Sequence, residues 1–150
     1  MLTTLALISM LALERQADVR GPATLCFAYS RFSLRADEVV EEVRAGMHGV
    51  TLDIAGPSGR YRLSENEVMR TPTDLGVLVR REHTNSLYRS RRSARYGFVV
   101  MAPDGEHERM LVVLEGSALS GSASDAAIYD RVQIGLSPGE RCDRRYLYGL

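Results

Sequence analysis

Alternation of apolar and polar positions divides most of this chain into short segments separated by turn chemistry. In GVTLDIAGPSGRYRLSE, residues 49–65, Val50, Leu52 and Ile54 alternate with polar or small neighbours. Gly56-Pro57-Ser58-Gly59 then interrupts the run, and Tyr61 and Leu63 resume it, which is the pattern of a β-hairpin. TLCFAYSRFSL, residues 24–34, follows the Gly21-Pro22 turn, is rich in aromatic residues, and reads as one strand. In LGVLVRREH, residues 75–83, Val77 and Val79 lie on one face and Leu78 on the other, predicting another strand. RYGFVVMAPDGEHERMLVVLEG, residues 95–116, places a Pro-Asp-Gly turn between two continuous apolar runs. Such runs predict strands covered on both faces, and so the centre of a sheet.

Two segments read as helical. In DEVVEEVRAG, residues 37–46, Val39, Val40, Val43 and Met47 trace a stripe, with acids in the first turn and Gly46 as a stop. The spacing favours a helix, although Val39 and Val43 also fit strand alternation. In SGSASDAAIYDR, residues 120–131, Ser122 precedes Asp125 by three, and Ile128 and Val132 lie one turn apart, predicting a C-terminal helix over about 124–133. ERCDRRYLYGL, at the end of the chain, fits an edge strand. The expected fold is β-rich α+β, a mostly antiparallel sheet or sandwich built from hairpins with a C-terminal helix.

Residues 2–13 are uncharged and mostly apolar. As a helix they would span about 18 Å, short of the roughly 30 Å hydrocarbon core, so no transmembrane anchor is expected. The length fits a signal-peptide core, but no basic leader precedes it, and Glu14 and Arg15 occupy the place of a small-residue cleavage site. Residues 1–20 are thus read as an apolar leader, either signal-like or packed as a helix, and residues 21–150 as a single globular domain. Cys26 follows Leu25 rather than a small residue, which argues against lipid attachment.

Composition narrows the remaining choices. Apolar residues make up 45% of the chain and charged residues 25%, the balance of a folded protein rather than a disordered one. The formal charge is zero, so no global field draws the protein to nucleic acid or membrane. All basic residues are arginine, as arginine-favouring codon usage would produce. Cys26 and Cys142 are the only cysteines and have no zinc or thioredoxin-like spacing. Paired, they would join the first strand to the last segment and imply an oxidising compartment; two buried thiols in a cytoplasmic protein are the alternative.

No signature of a nucleotide-phosphate loop, calcium loop, zinc finger or serine-nucleophile elbow occurs, and neither cofactor nor metal is expected. His48, His83 and His107 are dispersed; His48, between glycines in GMHGV, and His107, between Glu106 and Glu108, are the candidates for a hydrolase centred on a histidine. The strongest local feature is a cluster of Arg80, Arg81, Arg89, Arg91, Arg92 and Arg95 interleaved with Tyr88 and Tyr96. Arg89, Arg91, Arg92 and Arg95, with Tyr88 and Tyr96 as stacking surfaces, are the candidate ligand-binding set for a phosphate-rich glycolipid, a polyanion or nucleic acid. Against this stands a solvated connection whose arginines pair with Glu38, Glu41 and Glu42. The leading expectation is a small exported bacterial domain, periplasmic or secreted, with a non-enzymatic structural or binding role in the cell envelope. An anion-binding module is the alternative.

Overall fold

A computed structural model describes residues 19–68, 74–82, 85–101, 109–119, 124–134 and 141–147. The apolar leader, His83, the triplet around His107 and the Pro-Asp-Gly turn lie wholly or mainly outside these residues. Two sheets share one core. The larger runs β3-β4-β5-β9-β8-β7-β6, with all neighbours antiparallel. Its strands are β3 (Val39–Gly46), β4 (Gly49–Gly56), β5 (Gly59–Val68), β6 (Val77–Glu82), β7 (Asn85–Arg89), β8 (Arg95–Met101) and β9 (Arg109–Glu115). The smaller runs β10-β2-β1-β11, built from β1 (Ala23–Cys26), β2 (Ser30–Leu34), β10 (Val132–Ile134) and β11 (Arg144–Arg145). No helix among the described residues is long and apolar enough to cross a membrane.

Alternation explains the core directly. Leu52, Ile54, Leu63, Leu87, Phe98, Val112 and Leu114 of the larger sheet are buried with Leu25, Phe32 and Leu34 of the smaller one. Each such Leu or Phe contributes about 1.5–3 kcal/mol through removal from water. The hairpin expected over residues 49–65 forms β4 and β5, closing at Gly56↔Gly59 with Gly59 at φ 119°. That positive φ favours glycine and sets the turn. As the continuous apolar runs predict, β8 and β9 pair near the middle of the larger sheet.

Three elements differ from the expectation. Residues 24–34 form a hairpin, β1 and β2, rather than one strand, with the Phe27 amide donating to the Ser30 carbonyl at 2.8 Å. Phe27 is buried within the turn and stacks on Tyr146, so apolar character runs through the reversal without a Gly or Pro to mark it. Residues 39–46 form strand β3 rather than a helix. The register shifts between Val40 and Glu42, leaving Val40 opposite Ile54 and Val43 opposite Leu52. Both valines therefore face inward three residues apart, a bulge that imitates a helical stripe. The C-terminal helix α1 spans only Asp125–Tyr129. Ser124 rather than Ser122 caps it, accepting from the Ala127 amide, and the chain turns so that Val132 pairs with Phe32 of β2. Pairing and burial of Val132 outweigh another helical turn.

Cys26 and Cys142 are disulfide-bonded, with Cα atoms 5.7 Å apart. Around the bond, Asp143 N donates to Thr24 O at 2.9 Å and Tyr146 N to Cys26 O at 2.8 Å, docking the last segment beside β1 as the expected edge strand.

Buried carboxylates tie distant segments together. Glu65, at an inward position of β5, accepts from the Tyr29 amide and the Ser30 hydroxyl on the smaller sheet. Glu38, just before β3, accepts from Arg35 and from Arg131, which lies just before β10. The Arg131 guanidinium also covers the Phe32 ring at 4.5 Å and donates to the Tyr61 hydroxyl at 2.8 Å. Burial raises the Tyr61 hydroxyl above the usual phenol range, so it remains neutral between these charges.

On the opposite face of the larger sheet, Asp53 accepts from Arg62 at 2.8 Å and Arg44 at 2.7 Å. The hydrogen bond from Arg62, then that from Arg44, holds its carboxyl below the usual aspartate range despite partial burial. A depressed folded-state value adds stability above the unfolded value near pH 4, and this is lost as pH falls through the folded value. Urea titrations from pH 5 downward should therefore show a shallower acid loss for Asp53→Asn, with a difference of no more than about 1 kcal/mol at this half-exposed ladder. Equal slopes in both proteins would exclude Asp53 as a contributor.

Candidate anion-binding groove

Of the arginine cluster, Arg80, Arg81, Arg89 and Arg95 lie on strands of the β6-β7-β8 meander, and Arg91 and Arg92 lie in the connection between β7 and β8. Between β7 and β8 the chain reverses through Ser90-Arg91-Arg92-Ser93-Ala94, and local hydrogen bonds fix this loop. Ser90 N donates to Arg95 O and Arg95 N to Ser93 O, both at 2.9 Å. Ser90 Oγ accepts from the Arg92 amide and from the Ser93 hydroxyl, each at 3.2 Å. Gly116, just after β9, donates to Ala94 O at 3.0 Å and attaches the loop to the sheet. Serines on either side of Arg91 and Arg92 thus give a short loop its own scaffold.

This loop forms one wall of an open groove of about 740 Å³. Leu119, Ser124 and Asp125 also line it, with Arg89, Arg95 and Tyr96. The volume lies within the range of small-molecule sites. Arg91 and Arg92 are exposed and Arg95 is half-buried. Among the described residues no carboxylate forms an ion pair with any of these three, and Glu115, the register partner of Arg95 on β9, is no exception. Three uncompensated guanidiniums in a concave site make a local field that zero net charge conceals.

The other members of the cluster have structural partners. Arg89 donates to both oxygens of Asp125, at 2.9 and 3.2 Å, and Tyr96 donates to the same carboxylate at 3.2 Å. Burial, then Asp125 itself, raises the Tyr96 hydroxyl above the usual phenol value and keeps it a donor. Arg80 pairs with Glu82 and lies 4.1 Å over the Tyr129 ring, while Arg81 donates to Ser86. The acids expected to oppose the cluster are engaged elsewhere: Glu38 with Arg131, Glu41 with Arg60, and Glu42 with Arg44.

Nor do the two tyrosines provide a shared stacking surface. Tyr96 is buried in the main core, whereas Tyr88 packs with Leu75, Leu111 and Val113 on the other face of the sheet. Adjacent pairing explains the separation, since Tyr88 faces Gly97 while Arg89 faces Tyr96. Of the candidate binding set, Arg89, Arg91, Arg92, Arg95 and Tyr96 converge on the groove and Tyr88 does not. Ser90 and Ser93 were visible between the arginines, but their hydroxyl network depends on the loop's closure. Asp125 reads in sequence as a helix-starting acid, with no signal that Arg89, 36 positions earlier, will reach it.

His48 stands on the β3-β4 turn, with a side chain 73% exposed and Nδ1 3.3 Å from Glu67 Oε2. Its neighbour Gly49 makes room for β5 rather than for a ligand, because a Cβ there would collide with the Glu65 carbonyl and the Asn66 side chain. No group of three His, Cys, Asp or Glu side chains among the described residues could hold a metal. Compared with known proteins, the chain matches no family model, no curated protein and no solved structure, so its reading rests on this geometry.

Proposed function

We propose that this chain is a small exported binding protein of the bacterial envelope that holds an anionic ligand in the β7-β8 groove. The carrying observation is the convergence of Arg91, Arg92 and Arg95, without acidic partners among the described residues, on a concave surface built on a hydrogen-bonded loop. Guanidiniums present forked donors that match phosphate, sulfate and carboxylate groups. The Cys26–Cys142 bond supports an oxidising, exported setting, because such bonds persist outside the reducing cytoplasm. Binding is the role this loop supports: it offers positioned donors, and His48 stands apart from it.

Retention on heparin should fall as salt rises and should disappear in Arg91→Glu/Arg92→Glu, while Arg81→Glu, outside the groove, leaves it largely unchanged. Retention indifferent both to salt and to the double charge reversal would remove the anion-binding reading. Both arginines are exposed, so an unchanged melting temperature should accompany the loss.

A further inference from the structure

The uncompensated charge is compact rather than extended. Arg89, within the groove, is paired with Asp125, and Arg80, beyond it, with Glu82, so neither of these two extends the uncompensated charge along the meander. A polymer that follows a basic groove and stacks successive bases on aromatic side chains needs both a track and exposed rings. Here Tyr96 is only 5% exposed and Tyr88 belongs to the opposite face. What the groove offers besides Arg91, Arg92 and Arg95 is hydroxyl chemistry from Ser90, Ser93 and Ser124, and the Asp125 carboxylate as an acceptor.

Resting on the anion-binding reading above, we infer that the ligand is a phosphomonoester carried on a polyhydroxylated ring, a sugar or a cyclitol. Several guanidinium forks suit the three terminal oxygens of a phosphate better than a single carboxylate. Serine hydroxyls can give or accept hydrogen bonds to ring hydroxyls, and the edge of Asp125 can accept from them. Its carboxylate remains bound to Arg89 and Tyr96, which fixes its orientation. The same headgroup chemistry occurs on a free sugar phosphate and on a phosphorylated lipid headgroup, and binding assays can separate these sources.

Calorimetric titration of the intact, oxidised protein should compare glucose phosphate with glucose and with inorganic phosphate. A parallel flotation assay should use phosphatidylcholine vesicles with and without phosphatidylinositol phosphate. Glucose phosphate should bind more tightly than either half alone. Its affinity should fall about tenfold or more in Arg92→Gln, the worth of a charge-assisted hydrogen bond. It should also weaken below about pH 6, where the phosphomonoester loses its second charge. Ser90→Ala/Ser93→Ala should reduce the advantage of glucose phosphate over inorganic phosphate. Binding of the free sugar phosphate would support a soluble ligand; binding only of the phosphoinositide vesicles, lost in Arg92→Gln, would support the lipid-borne form. Salt-sensitive heparin retention with neither a preference for glucose phosphate over inorganic phosphate nor binding to the phosphoinositide vesicles would overturn this inference and leave the anion-binding reading intact. Failure to bind any anion would overturn both.

Discussion

Removing the Cys26–Cys142 bond by a double alanine replacement should lower unfolding stability by about 3–5 kcal/mol. The bond closes a loop spanning a sequence separation of 116, so its loss releases a large denatured-state constraint. Among the described residues the last segment is then held by the β1-β11 pairing, with the Asp143 and Tyr146 amides on β1, by the Thr24 amide on Asp143, and by the Phe27–Tyr146 stack at 5.6 Å, among other contacts. Urea unfolding of oxidised wild type and the double variant measures the cost, while amide exchange over residues 141–147 shows whether that segment loosens first. A cost below about 1 kcal/mol with unchanged exchange would mean that packing alone holds the ends together. Mass measurement after bacterial expression from the protein's own start, with periplasm and cytosol separated, adds the compartment test: export predicts a periplasmic species that lacks the leader and is two hydrogens lighter than its reduced form.

Arg131→Met should destabilise the protein by about 3–5 kcal/mol, the range for removing one partner of a buried ion pair. Arg131 has a side chain 12% exposed and Glu38 a fully buried one, so among the described residues Glu38 would keep only Arg35 as a charged partner. The methionine retains apolar contact with Phe32 and Tyr61 but cannot donate to the carboxylate, the Ser33 carbonyl or the Tyr61 hydroxyl. Adding Glu38→Gln should recover part of the loss, because no unpaired charge then remains in the interior. Denaturant midpoints of the two single variants and the double variant form the required cycle. Strict additivity would show that the two side chains do not act as a pair.

Sequence pattern carried the hairpins because their signals are local. Alternation at Val50, Leu52 and Ile54 faces a glycine-bounded turn, and the apolar runs around β8 and β9 mark strands near the centre of the larger sheet. The failures share a different cause: tertiary contacts change the meaning of a short pattern. The bulge at Val40/Glu42 makes β3 resemble a helix, burial of Phe27 hides a turn, and pairing of Val132 ends a helix that local spacing would extend. The candidate groove was partly legible for the same reason as the hairpins, since Arg91, Arg92 and Arg95 are neighbours in sequence. Which arginines would be neutralised was not legible, because Asp125 and the Arg131 partner of Glu38 arrive from distant segments.

The two irregular registers also affect how copies of this chain meet at high concentration. Open sheets can stack edge to edge through unpaired backbone groups, whereas bulges and outward charges interrupt that growth. Among the described residues, β3 carries Glu41, Glu42 and Arg44 around its register shift, and Arg20 bridges Val39 near its start. At the other edge, β6 carries Arg80, Arg81 and Glu82 beside a shift between Leu78 and Arg80. The smaller sheet ends in strands of only three and two residues. A fold with this much strand thus blunts its own templates, favouring dispersed molecules over fibrils without requiring a large net charge.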